Sequence, residues 1–160
     1  MPGNRGTRYV AVIGGGEAGP ELADLAEEVG RELARRGVVV ICGGLRGVMA
    51  AAARGVQEED GVSIGILPGP DRGLANPYLT YAIPTNLGHA RNMIIAHAAD
   101  AVIAVGGGYG TISEAAIALK LGKRVVAVGT DWSLPGLKSA QTPPEAAALA
   151  LEALPNPARR

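Results

Sequence analysis

The segment Val105-Gly106-Gly107-Gly108-Tyr109-Gly110-Thr111-Ile112-Ser113-Glu114 leaves an apolar β run, Ala101 to Val105, passes through four glycines and enters an apolar helical pattern. That arrangement suits an anion. Glycine lets the backbone take positive φ and lets a ligand approach without a Cβ in the way. The new helix offers unpaired N–H groups at the positive end of its dipole. Gly106, Gly107, Gly108, Tyr109, Gly110 and Thr111 are therefore candidate phosphate-binding residues. The same letters also have a structural reading: Thr111-x-x-Glu114 spells a capping box, in which threonine caps the third helical N–H and glutamate reaches back to the cap. Capping would explain Thr111 and Glu114, but not four glycines in five positions, each of which costs backbone entropy.

Arg91 is the most informative charged residue. The pattern predicts a helix from Leu87 to Ala99 with Asn86 as its cap, on which Arg91 shares an inward face with Leu87, Ile94, Ile95 and Ala98. An unpaired buried charge costs several kcal/mol, so Arg91 needs a partner. Two partners are open: a structural salt bridge, or a ligand phosphate or catalytic carboxylate that the guanidinium binds or positions.

These residues must be held by something, and the periodicity says what. Apolar runs at Arg8 to Ile13, Val38 to Ile41, Val62 to Leu67, Leu79 to Ile83, Ala101 to Val105 and Arg124 to Val128 read as strands. Pro20 to Arg36, Val48 to Val56, Leu87 to Ala99, Ala115 to Leu121 and Pro144 to Leu154 read as helices. Strands that are apolar throughout and alternate with helices predict a doubly wound, Rossmann-like α/β domain with a mainly parallel sheet covered on both faces. Such sheets bind ligands outside the carboxyl ends of their strands. Gly14-Gly15-Gly16, Gly43-Gly44, Pro68-Gly69 and Gly106 to Gly110 each follow a predicted strand, so they should converge on one crevice.

Gly14-x-Gly16-x-x-Gly19 formally matches the dinucleotide fingerprint. The ribose-binding acid expected at the end of the second strand would fall near Ile41-Cys42-Gly43, where no carboxylate stands, which argues against NAD. No Gly-Lys-Ser/Thr follows any glycine loop, which argues against a Walker-type ATPase.

The 160 residues suit one domain, residues 1–160, with a frayed Pro/Arg tail over 154–160. Lys plus Arg and Asp plus Glu number 15 each, and phenylalanine is absent, so a basic stacking surface for nucleic acid has no raw material. Cys42 is the only cysteine, and His89 and His97 stand apart from any cluster, so no metal site or internal disulfide is expected. No apolar run reaches the ~20 residues of a membrane span and no secretory pattern opens the chain, so a soluble cytoplasmic protein is expected. Alanine-rich stretches at Ala50 to Ala53 and Ala115 to Ala118 could bury a flat face against a second copy, giving a homodimer or homotetramer.

Four segments in order, Gly43-Gly44-Leu45-Arg46-Gly47-Val48-Met49, Gly65-Ile66-Leu67-Pro68-Gly69, Ala90-Arg91-Asn92 and Gly106 through Glu114, resemble the signature of the LOG-like superfamily, long misnamed "lysine decarboxylase". The similarity spans roughly residues 8 to 130. LOG enzymes release cytokinin bases from nucleoside 5′-monophosphates, and their pattern PGGxGTxxE works with an arginine from the preceding helix. By position, the resemblance implies Arg91 and Glu114 as catalytic residues. Two departures stand out: Val105-Gly106 replaces the leading proline, and the usual Arg-Lys pair reads Arg91-Asn92. Both are similar to the branch that includes molybdenum-cofactor carrier proteins.

Two functions follow. In a phosphoribohydrolase, the glycine loop and Thr111 hold the 5′-phosphate, Arg91 orients the substrate, and Glu114 stabilises an oxocarbenium-like ribose or activates water. In a carrier, the same cradle, with Gly14, Gly15, Gly16, Gly43, Gly44 and Asn92 around it, holds a phosphorylated pterin such as molybdenum cofactor as cargo and breaks no bond. Neither requires a resident cofactor.

Overall fold

The computed structural model describes residues 6–152 and 154. Seven strands form one sheet: β1 (Tyr9–Gly14), β2 (Val39–Cys42), β3 (Ser63–Leu67), β4 (Tyr81–Pro84), β5 (Ala101–Val105), β6 (Arg124–Val128) and β7 (Lys138–Ala140). The spatial order is β4-β3-β2-β1-β5-β6-β7, with every neighbouring pair parallel. The chain therefore builds outward from β1 to β4, then returns to lay β5 on the other side of β1. The order reverses between β1 and β5, which is where a doubly wound sheet opens its crevice.

Successive residues of a strand face opposite sides, and both sides are apolar here. Val10, Val12, Ile103 and Val105 pack beneath α1 (Pro20–Arg35), α2 (Val48–Glu58) and α5 (Pro143–Glu152). Ala11, Ile13, Val102 and Ala104 pack beneath α3 (Arg91–Ala98) and α4 (Tyr109–Lys120). Among the described residues no helix is long and apolar enough to cross a membrane.

The expected elements are all present, with five local differences. The strand expected at Leu79 to Ile83 is shifted to Tyr81–Pro84. Asn86 does not cap a helix: it and Gly88 take positive φ, and a 3-10 turn, Gly88–Ala90, precedes α3. Short, polar β7 carries no apolar pattern that periodicity could register. Leu154 lies beyond α5, and the rest of the expected tail falls outside the described residues.

The fifth difference concerns the signature helix. α4 begins at Tyr109, with Gly108 at the cap position and no side-chain cap. The Gly108 carbonyl accepts from Ile112 N at 2.9 Å, which starts the helix three residues earlier than a Thr111 cap would. Thr111 and Glu114 are thus the third and sixth helical residues, and the capping box expected from the letters does not form.

Candidate functional site

A cavity of about 370 Å³ opens at the switch point. Its floor is Val12, Ile13 and Gly14 at the end of β1, and one wall is Gly108, Gly110, Thr111 and Glu114 from α4 and its approach. The opposite wall is Gly43, Leu45 and Met49, with His89, Arg91 and Asn92 from the 3-10 turn and α3. Three of the four glycine segments thus meet as expected, with Gly15 and Gly16 at the rim.

Four residues expected at the site do not line it. Gly106 and Gly107 form the turn that feeds α4, both at positive φ. A side chain on Gly107 would collide with Thr111 Oγ1, because buried Thr111 packs beneath that turn instead of capping the helix. Gly44, at φ 78°, sits behind the wall, its carbonyl accepting from Asn76 N at 2.9 Å. Tyr109 is 92% exposed and does not line this cavity.

The lining glycines divide by what surrounds them. Gly43 is needed by the site itself, since its Cβ would fall 2.8 Å from Arg91 Nη2. Gly14, Gly15 and Gly47 bring the loops after β1 and β2 together, with Val48 N donating to the Gly15 carbonyl at 3.1 Å. That close approach accounts for Gly14 in the formal dinucleotide match but not for Gly16 or Gly19, which have nothing within 4 Å of a built Cβ. Gly16, Gly108 and Gly110 have nothing within 4 Å of a built Cβ, so only the cavity itself would be filled by a side chain there.

Arg91 is 8% exposed. Its Nη1 donates to Asn92 Oδ1 and its Nη2 reaches the Gly43 carbonyl at 3.5 Å, a marginal bond. Its buried Nε has no partner, and Arg91 forms no ion pair among the described residues. The salt-bridge alternative is therefore not the arrangement found. The inward face of α3 is Arg91, Ile95 and Ala96, while Ile94 and Ala98 face outward and Leu87 is exposed before the helix begins.

Burial pushes the Glu114 carboxyl up to about 7, against the opposing pull of Arg91. Burial lowers the Arg91 pKa, while Glu114 and Cys42 act in the other direction. A carboxyl that exchanges its proton near neutrality, beside a guanidinium in a cleft, is the electrostatic pattern of acid–base sites. Cys42 is fully buried with its thiol pushed up to about 11 by desolvation, which makes it inert.

Several contributors have little or no sequence signal. Leu45 and Met49 stand inside the Gly43 to Met49 segment and could have been found there. His89 lies two residues before Arg91, and the 3-10 turn, not a helical face, brings it to the cavity. Trp132 is the least visible: its Nε1 donates to the Gly106 and Gly107 carbonyls at 3.2 and 3.1 Å, holding the signature turn across some 25 residues of chain.

A parallel α/β sheet with a glycine-walled, arginine- and glutamate-bearing cavity at its switch point defines a Rossmann-like α/β protein with a candidate ligand site. The chain belongs to the SLOG cluster4 family, whose family profile matches residues 7–154, within the LOG-like superfamily. It is 47% identical over 137 residues to an uncharacterized protein of Archaeoglobus fulgidus, covering 86% of this chain and 90% of that one. It is 35% identical over 112 residues to a probable cytokinin riboside 5′-monophosphate phosphoribohydrolase of Oryza sativa subsp. japonica, covering 67% of this chain and 49% of the rice protein. Among solved structures, the molybdenum cofactor binding protein of Rippkaea orientalis superposes with a TM-score of 0.88 at 34% identity, over 93% of this chain and 98% of that one.

Proposed function

We propose that the described residues form one unit that binds the phosphate monoester of a nucleotide-like small molecule. The observation that carries this reading is Arg91, a buried cation that lines the cavity with an unpartnered Nε and no ion pair among the described residues. Beside it, α4 presents an uncapped first turn walled by Gly108 and Gly110. A phosphate would accept from the first-turn N–H groups and from the guanidinium, satisfying donors that the fold leaves open. Thr111 stays beneath the turn as its support.

Glu114 favours a hydrolytic fate for a nucleoside 5′-monophosphate. Water adds to the ribose C1′ as the N-glycosidic bond breaks, Glu114 takes the proton from that water, and the base leaves with a proton in exchange, giving free base and ribose 5-phosphate. The second reading, a carrier that holds molybdenum cofactor uncleaved, is supported by likeness to the Rippkaea orientalis protein over nearly the whole of both chains. The rice phosphoribohydrolase is about twice the length that this chain spans in it.

Incubation with nucleoside monophosphates, followed by chromatography of free base, separates the two. Hydrolysis predicts release by wild type and a loss of orders of magnitude in Glu114→Gln. Binding of the monophosphate with no base released over hours, together with a molybdopterin found by mass spectrometry in the purified protein, supports the carrier instead.

Self-assembly belongs to the same proposal, on a different face from the one the alanines suggested. Of the alanines, Ala52, Ala53, Ala115 and Ala118 are buried within their own chain, which leaves only Ala50, Ala51 and Ala116 with surface to offer a second copy. The exposed apolar residues gather instead at Tyr81, Ile83, Leu87, Met93 and Ile94, along β4 and α3. A homodimer or homotetramer in light scattering is expected, with a monomer contradicting it. A cytoplasmic location is proposed as well, in keeping with a lone, buried, free Cys42.

A further inference from the structure

Beside the main cavity lie two further recesses, and Leu45 lines all three. The middle one, about 320 Å³, shares Gly16 and Leu45 with the main cavity and is completed by Arg46 and Leu74. The outer one, about 370 Å³, is built on the loop after β3 from Leu67, Pro68, Pro70, Asp71 and Leu74. Shared lining residues make the three neighbours: Leu45 is common to all, Gly16 joins the main cavity to the middle recess, and Leu74 joins the middle recess to the outer one that holds Asp71. Leu74 is 77% exposed on a loop whose base is pinned, because buried Asn76 donates through Nδ2 to the Leu45 carbonyl at 2.9 Å. Exposed leucine and proline on a fixed loop, facing a recess, make walls for a flat apolar body.

Asp71 gives that body an identity. Its Oδ1 accepts from Gly73 N at 2.8 Å, fixing the carboxylate on the loop, and Asp71 forms no ion pair among the described residues. We infer that the outer recess is a heterocycle subsite, in which Asp71 pairs with the 2-amino-4-oxopyrimidine edge shared by guanine and pterins while Leu45 and Leu74 cover the ring faces. That edge presents two parallel N–H donors, which a carboxylate accepts together. Adenine presents an acceptor beside its amine and cannot be held that way. The inference rests on the phosphate reading above only in placing the other end of the ligand at α4.

Calorimetric titration of the full chain tests it with five ligands: GMP, AMP, ribose 5-phosphate, guanosine and neopterin. Asp71→Asn keeps the acceptor for Gly73 N but turns an amide donor toward the ring's donors. Leu74→Asp removes one wall at an exposed position. GMP should bind at least about tenfold more tightly than AMP, and Asp71→Asn should erase that difference, with ribose 5-phosphate unchanged in both variants. GMP binding that neither variant alters, alongside normal ribose 5-phosphate binding, overturns the subsite and leaves the phosphate cradle standing. Should ribose 5-phosphate fail to bind, the cradle fails. Guanosine and neopterin, which carry no phosphate, then decide the subsite alone: binding weakened by Asp71→Asn supports it, and insensitivity or no binding overturns it. Their relative affinities tell a guanine nucleotide from a pterin.

Discussion

Two helices of this protein carry the same spelling, Thr-x-x-Glu, near their starts and treat it in opposite ways. At α5, Thr142 Oγ1 accepts from Glu145 N at 3.3 Å and Glu145 Oε2 accepts from Gln141 N at 2.8 Å, a reciprocal cap shifted by one residue at its return bond. At α4, Thr111 is buried in the third helical position, Glu114 sits in the cavity wall, and no side chain caps the first turn. Prolines 143 and 144 fix where α5 can start, whereas Gly108 lets α4 start early. The comparison teaches that an N-terminus left uncapped, where the residues for a cap are at hand, is a place where the fold leaves donors for something else to satisfy.

The largest effect should come from filling the α4 entrance. Gly110→Val meets no atom within 4 Å of its Cβ, so the fold should survive, while phosphate-ester affinity drops by about a hundredfold or more in calorimetry. Wild-type affinity in this variant would break the comparison outright.

Arg91→Met comes next. It removes the guanidinium that faces the proposed phosphate, and affinity for ribose 5-phosphate should fall by about 1.5–3 kcal/mol, roughly ten- to a hundredfold. Because the guanidinium is buried without an ion pair, the same variant should resist denaturant at least as well as wild type. Marked destabilisation would mean that Arg91 serves the fold first.

Glu114→Gln sharpens the contrast through pH. The folded-state pKa of Glu114, about 7, lies above its unfolded value, so the folded protein binds the proton more tightly. Stability from this group is present below about pH 4.5 and is lost as pH rises through 7. The variant lacks that loss, so its stability relative to wild type should climb between pH 4.5 and 7 and level off on the order of 2 kcal/mol by pH 8. A difference independent of pH would contradict the half-buried placement of the carboxyl. The smallest effect belongs to α5: Thr142→Ala should cost about 1 kcal/mol in denaturant unfolding and leave ligand affinity unchanged.

The same contrast marks how far the sequence could be read. Strands and helices were legible because both faces of the sheet are apolar and the glycines fall at strand ends. The reversal between β1 and β5 brings Gly14, Gly43, Arg91, Gly108 and Glu114 to one cavity, as that pattern implied. The start of α4 was not legible, since a capping box and an early start at Gly108 share their letters and only the packing of Thr111 beneath Gly107 decides between them. Likewise Gly88 and Asn86 at positive φ, which shorten α3 and swing His89 to the site, leave no periodic trace. Trp132 escapes sequence reading because its hydrogen bonds join elements far apart in the chain.

The central claim is that the open N–H groups of α4, and not those of α5, await a phosphate. Amide NMR during titration with ribose 5-phosphate reads both helix starts in one experiment. Saturable shifts at Tyr109, Gly110 and Thr111, with none at Glu145, Ala146 or Ala147, are the predicted result. Unmoved α4 amides, or shifts of equal size at both helices, would contradict it.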